Sequence, residues 1–214
     1  MSGDERWIRI GVEWAIFVAG FGLLVWLAIP HSGPGRPSDT TKELSRAKQV
    51  YIALKMYEGD HNGMRPDHER GLGFSNSSEV FRQLFPNYIS REEFFYSRRS
   101  AWTPEPPDEK IGNRRTLSAG ENCFAYIRNI PSDSAPDLPL IASAFGKGTP
   151  GIYGWDTKRK RSIPKGGAVV VFNDGSGRAI KIEEDGRTYI YGREVFKPAP
   201  DWLAPDQVPL NPEE

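Results

Sequence analysis

The residues best suited to chemistry crowd into one short stretch. Glu58, Asp60 and Asn62 alternate along the chain, Gly63 follows, and Glu69 stands at the twelfth place counted from Glu58. Oxygen ligands at places one, three, five and twelve, with glycine at six, are the pattern by which a loop wraps calcium. Against it, the first ligand is Glu where such loops open on Asp, Arg65 adds a positive charge, and Pro66, Gly71 and Gly73 oppose an exiting helix. The stretch reads first as a helix end and second as a calcium loop. Asp174 with Glu183, Glu184 and Asp185 offers a further set of carboxylates near a turn. Lys158-Arg159-Lys160-Arg161, with Lys165, is the sharpest run of charge, a solvated loop first and a contact for lipid headgroups or an acidic partner second.

Catalytic groups are sparse. His31 stands in a proline- and glycine-rich stretch, while His61 and His68 share one glycine-flanked loop, and no spacing assembles a nucleophile, base and orienting acid. Two histidines seven apart in a loop, with Asp60 or Asp67, are a thin metal signal. The expectation is a protein that is not an enzyme and needs no cofactor, calcium excepted. Cys123 is the only cysteine, so no intramolecular disulfide forms, and its setting between Asn122 and Phe124 suits a small buried hydrophobe.

The elements that must position these groups can be read from periodicity. Thr40-Thr41-Lys42-Glu43 fits a capping box, and Leu44, Ala47, Val50, Tyr51, Leu54 and Tyr57 recur at helical spacing up to Glu58. Gly59 to Gly63 should end that helix. Ser77 to Phe85 reads as a short helix halted by Pro86, with one more turn at Arg91 to Phe95. Strands are expected at Phe124 to Ile127, Leu138 to Ala144, Ala168 to Phe172, Arg178 to Ile182 and Thr188 to Tyr191, with Asn173-Asp174-Gly175-Ser176-Gly177 as a hairpin turn. Helices followed by an antiparallel meander make an α+β domain over residues 39 to 196, and the proline-rich acidic tail, 197 to 214, reads as unfolded.

Ahead of this domain the composition changes. After a flank of residues 1 to 7, Ile8 to Ile29 form 22 residues whose charges, Arg9 and Glu13, lie near the start. That is long enough for a helix to cross a bilayer, and Trp7, Trp14 and Trp26 suit the interfaces. Pro30 stops it, and residues 30 to 38 are a linker. Small residues for signal cleavage are missing around Ala28-Ile29-Pro30, so the segment reads as a permanent anchor. Over all 214 residues, 28 basic and 28 acidic side chains cancel, so no global field draws the chain onto nucleic acid or anionic lipid, and it is the apolar segment that makes the lipid bilayer the expected partner.

The order of parts resembles the type IV pilin and type II secretion pseudopilin family, especially its G-like members. The likeness rests on Leu44 to Tyr57 ending in Asp60-His61-Asn62-Gly63, on Ala119-Gly120-Glu121-Asn122 before a strand, and on Val169 to Ser176, covering roughly residues 40 to 185. It implies a single-pass protein of the bacterial inner membrane with its domain on the extracytoplasmic side. It also implies partners among other pilin-like subunits or secretion-apparatus proteins. Major pseudopilins bind calcium in a C-terminal loop, which on this chain points toward Asp174 and its neighbours. In prepilins a glycine cleavage site precedes the apolar helix, and a glutamate at the fifth mature place pairs with a neighbouring amine. Here Gly11-Val12-Glu13 puts Glu13 second, so the resemblance describes a divergent, unprocessed member in which Glu13, Trp14 and Trp26 serve membrane insertion and assembly.

Overall fold

The helix α1, Asp39–Asp60, owes its position to a stripe of small and apolar side chains. Ala47, Val50, Ala53, Leu54 and Tyr57 recur every three or four residues and are all buried, so one face of the helix is committed to the sheet beneath it. Its N-cap is Ser38, whose Oγ accepts from the Thr41 N–H at 3.1 Å. The capping box expected at Thr40 and Glu43 is therefore displaced: the helix starts earlier, and Glu43 is turned into the core, 2% exposed. The C-terminus ends as the glycine-rich stretch requires. Asn62 and Gly63 take positive φ of 54° and 80°, and the Gly63 N–H returns to the Glu58 carbonyl at 2.8 Å.

The computed structural model describes residues 38–68, 73–112, 115–146, 151–153, 167–197 and 203–213. The chain divides into two units, Met1–Arg36 and Pro37–Glu214, and every described residue belongs to the second. The apolar segment 8 to 29 with Glu13, Trp14 and Trp26, the basic run Lys158 to Arg161, and Glu69 lie outside the described residues. Among the described residues no helix is long and apolar enough to cross a membrane.

Helix α2, Ser77–Arg82, is opened by Asn76, whose Oδ1 accepts from the Glu79 N–H at 3.0 Å. A 3-10 turn at Glu92–Phe95 follows. Then come strands β1 (Phe124–Ile127), β2 (Pro139–Ser143), β3 (Ala168–Phe172), β4 (Gly177–Ile180), β5 (Tyr189–Ile190), β6 (Arg193–Glu194) and β7 (Pro209–Leu210). Five of them form an antiparallel sheet in the order β4-β3-β2-β1-β7. Helix α1 lies against β3, β4 and β2, and α2 against β1. The arrangement is a small antiparallel sheet with few helices, an α+β fold.

Every residue of β1, β2 and β3 is buried. Side chains alternate between faces along a strand, so both faces of the sheet centre are covered. The β3–β4 hairpin is the one the sequence predicts. Gly175 sits in its turn at φ 78°, and a Cβ there would come 2.6 Å from the Tyr51 ring, so only glycine lets the turn close under α1. The Tyr51 hydroxyl donates to the Asn173 carbonyl at 2.8 Å and fastens helix to turn.

At the C-terminal end one expected strand forms in a sheet of its own and one expectation fails. Thr188 to Tyr191 adds no strand to the main sheet: Tyr189–Ile190 pairs with Arg193–Glu194 as a separate hairpin, because Tyr191 and Gly192 both take positive φ and reverse the chain at once. The described part of the tail, residues 203–213, is not unfolded. Leu203 and Leu210 are buried, β7 pairs antiparallel with β1 through Tyr126↔Leu210 and Ile127↔Pro209, and Asn211 accepts from the Ser77 N–H at 2.8 Å. Pro209 lacks an N–H, and an end strand with one side unpaired tolerates it.

Candidate functional site

Glu58 is the natural starting point, since the sequence assigns it a calcium ligand's place. In the fold its carboxylate is 4% exposed and already claimed on both oxygens. Arg65, fully buried, donates from Nε to Oε1, and Lys55 donates from Nζ to Oε2. Arg65 also reaches the Ile130 carbonyl through Nη1 at 2.8 Å and Asn173 Oδ1 through Nη2. This guanidinium therefore ties the end of α1 to the chain after β1 and to the β3–β4 turn. Asp60 accepts from the Tyr88 hydroxyl at 2.9 Å, and exposed Asn62 serves the helix end through its left-handed backbone. Two cationic side chains hold the carboxylate that would have to open a calcium loop, so Glu58, Asp60 and Asn62 are a helix terminus locked by an ion pair.

A second buried carboxylate, Glu43, links α1 to the sheet. Its Oε2 accepts from the Ser97 hydroxyl at 2.6 Å, its Oε1 accepts from the Ser143 hydroxyl on β2, and Arg99 Nη1 lies 3.8 Å away. Arg99 in turn donates to Thr40 Oγ1 at 2.6 Å and to the Gly167 carbonyl at 2.7 Å. The network joins helix, loop and strands, and leaves Arg99 Nε buried without a hydrogen-bond partner among the described residues.

The third carboxylate is different. Glu92 opens the 3-10 turn, is fully buried, and accepts from the Leu117 N–H through Oε1 at 2.7 Å. Its other oxygen, Oε2, is buried without a hydrogen-bond partner among the described residues. Asp108 and Glu121 converge on the same place, and one oxygen from each of the three carboxylates lies within 4.8 Å of the others. Backbone donors hold the group in position. The Ser118 N–H reaches Glu121 Oε2 at 2.7 Å, the Asp108 N–H reaches Glu121 Oε1 at 3.2 Å, and the Lys110 N–H reaches Asp108 Oδ1 at 2.9 Å. Glu109, at φ 55°, accepts from the N–H groups of Glu92 and Glu93, both at 3.0 Å, and so caps the turn that carries Glu92.

Electrostatics set Glu92 apart. Burial, then the charges of Glu121, Asp108 and Glu109, push its carboxyl above the ordinary range, despite the lowering bond from Leu117. Asp108 moves the other way, held down by hydrogen bonds from Lys110, whose ammonium stands 2.6 Å from its Oδ2 at the open side. Nothing in the spacing of these residues signals their meeting, because irregular chain between the 3-10 turn and β1 brings them together.

Other predicted groups sit apart. His61 stacks on Tyr57 with ring centroids 3.7 Å apart, while His68 lies 4.0 Å from Asp67, whose oxygens accept from the Tyr126 hydroxyl and the Asn129 N–H. Asp174 accepts from the Ser176 N–H at 2.7 Å, and Asp185 from the Arg187 N–H at 3.0 Å and the Tyr189 hydroxyl at 2.7 Å, so both organise turns. Cys123 is buried, and desolvation, reinforced by Glu43, pushes its thiol well above the usual value. No protein-family profile, no curated protein and no solved structure matches this chain.

Proposed function

We propose that this protein is a membrane-anchored, pilin-like or pseudopilin-like structural component of a bacterial type II secretion or type IV pilus-related system. Residues 8 to 29 hold it in the inner membrane, the domain beginning at Asp39 stands on the extracytoplasmic side, and it works through protein contacts, without catalysis. The observation that carries this reading is the placement of α1. A helix of 22 residues, next in sequence to the apolar segment, lies across an antiparallel meander β4-β3-β2-β1 and is buried along one face by it. This order of helix and antiparallel sheet is the one the resemblance implies. The buried Glu58–Arg65 and Glu43–Ser143 links also belong to a scaffold.

The test is cross-linking of the full chain in intact membranes. Ladders of self-association, or capture of secretion-apparatus proteins, support the proposal. If Glu13 pairs with a neighbour's amine within the bilayer, Glu13→Gln abolishes the ladders, because an unpaired carboxylate there is costly. A lone monomer under all conditions refutes assembly.

A second reading, a tethered extracytoplasmic binding domain that does not polymerise, draws on a specific feature. A cleft of about 400 Å3 opens between the β3–β4 and β5–β6 hairpins, lined by Phe172, Arg178, Ile190, Tyr191 and Arg193. Tyr191 is 91% exposed at its rim, unusual for a large aromatic ring. The lone-monomer outcome would favour this reading.

A further inference from the structure

Three features remain outside the proposed function: the cleft at Tyr191, the exposed side chains of Ile52 and Met56 on α1, and the carboxylates around Glu92. The third goes furthest, because it combines converging ligands with a buried polar atom that has no partner. We infer that Glu92, Asp108 and Glu121 form a binding site for a calcium ion, on the loops between α2 and β1 and apart from both places where the sequence suggests one.

The donors are all carboxylate oxygens, the ligand type preferred by hard divalent cations and poorly suited to zinc or copper. Size is consistent as well. Two oxygens that each touch calcium at about 2.4 Å can stand at most about 4.8 Å apart. The three oxygens here fall within 4.8 Å of one another, close enough for modest side-chain adjustment to bring them onto one ion. Glu92 Oε2 gives the independent argument. A buried carboxylate oxygen without a donor is costly, and the carboxylate that carries it has an oxygen within 4.8 Å of those of Asp108 and Glu121. A cation seated among the three would supply the missing partner. Asp108 is exposed and Glu121 partly so, which leaves an open side for water to complete the shell. The hydrogen bonds from Leu117, Ser118 and Lys110 fix the carboxylates before any ion arrives, so little ordering is needed on binding.

Lys110 is the competing account. Its ammonium stands on Asp108 at 2.6 Å and partly neutralises the group. Its side chain is 61% exposed, however, and it donates to Asp108 Oδ2, not to Glu92. Such a group moves aside readily, and calcium binding should displace it.

The experiment uses the full chain in detergent, stripped with chelator and titrated with calcium chloride by calorimetry, with thermal unfolding in parallel. The expected result is one site with a dissociation constant of about 0.1–1 mM, in the range of extracellular modules, and a rise in melting temperature at 5 mM calcium. Glu92→Gln keeps the Leu117 bond and should weaken binding about tenfold or more by removing a charged ligand. Asp108→Asn, at an exposed position where folding is not at stake, should do the same, while Lys110→Gln should tighten binding. Asp174→Asn should change nothing. An absence of both heat and thermal shift at 5 mM calcium overturns the inference, as does binding that survives Glu92→Gln and Asp108→Asn unchanged. Loss on Asp174→Asn alone would place the ion at the β3–β4 turn and overturn it too. None of these results bears on whether the chain assembles.

Discussion

Removing the Arg65 guanidinium tests the claim that residues 58 to 65 are a lock and not a calcium loop. Arg65→Met keeps the apolar stem and deletes three donors: to Glu58, to the Ile130 carbonyl and to Asn173 Oδ1. Stripping one partner from a buried pair typically costs about 3–5 kcal/mol, because a charge is left behind without compensation. Lys55 remains on Glu58 and is 40% exposed, which reduces that figure. The two abandoned acceptors add about 1 kcal/mol each. The sum is about 3–5 kcal/mol, or roughly 6–20 °C in melting temperature for a domain of this size. The assay is urea unfolding of the full chain in detergent, followed by circular dichroism, with and without 5 mM calcium. Replacing both partners, Glu58→Met with Arg65→Met, should cost clearly less than the sum of the two single changes, since it removes the stranded charge. A single-variant cost under about 1 kcal/mol would refute the reasoning, and so would recovery of Arg65→Met by calcium through the vacated Glu58.

Other consequences can be checked with the same protein. Truncation after Lys197 removes β7 and the buried Leu203 and Leu210, and at about 1.5–3 kcal/mol per buried leucine the unfolding free energy should fall by about 3–6 kcal/mol; an unchanged midpoint would return the tail to the unfolded class. Cys123, fully buried with its thiol pushed up by desolvation and by the charge of Glu43, should resist alkylation at pH 8 in the folded protein and react only in denaturant, measured by mass. At Glu79, desolvation works against ionisation, but the Ser75 N–H and hydroxyl, the Asn76 backbone and Arg82 outweigh it and hold the pKa below the ordinary value. Its stabilising contribution is thus present above the unfolded-state pKa and lost as pH falls through the folded one, so Glu79→Gln should flatten the acid limb of a stability–pH profile.

What could be read beforehand was whatever local pattern controls. The 3.6-residue recurrence of Ala47, Val50, Leu54 and Tyr57 needs no distant partner to be visible, and neither do the apolar runs of β1 to β3 or the Asn-Asp-Gly turn between β3 and β4. The misreadings share a cause in long-range contact. Glu43 fits a capping box by spacing, yet Ser97 and Ser143 draw it inward, and neither can be foreseen from its neighbours. Arg65 counts against a calcium loop in the sequence, and in the fold it is the hub, because Asn173 and Ile130 arrive there to receive it. Composition misleads in the tail, where prolines suggest an extended chain and an extended chain is what an end strand requires. Glu92, Asp108 and Glu121 obey no period at all; only the path of the irregular chain brings them together.

The same geometry bears on how copies of this chain could associate. The described sheet ends on β4 and β7. The first carries charged Arg178 at an exposed position, and the second is only two residues long and includes Pro209, which lacks a donor. Short, charged or proline-bearing end strands are poor templates for edge-to-edge pairing. On α1 the side chains of Ile52 and Met56, 50% and 52% exposed and one turn apart, form a patch too small for a stable interface alone. Self-association through the described domain is therefore weakly supported, and a pilin-like role throws the work of assembly onto residues 8 to 29. It follows that Glu13→Gln, not any change on the sheet, is the substitution against which the proposed function should be judged.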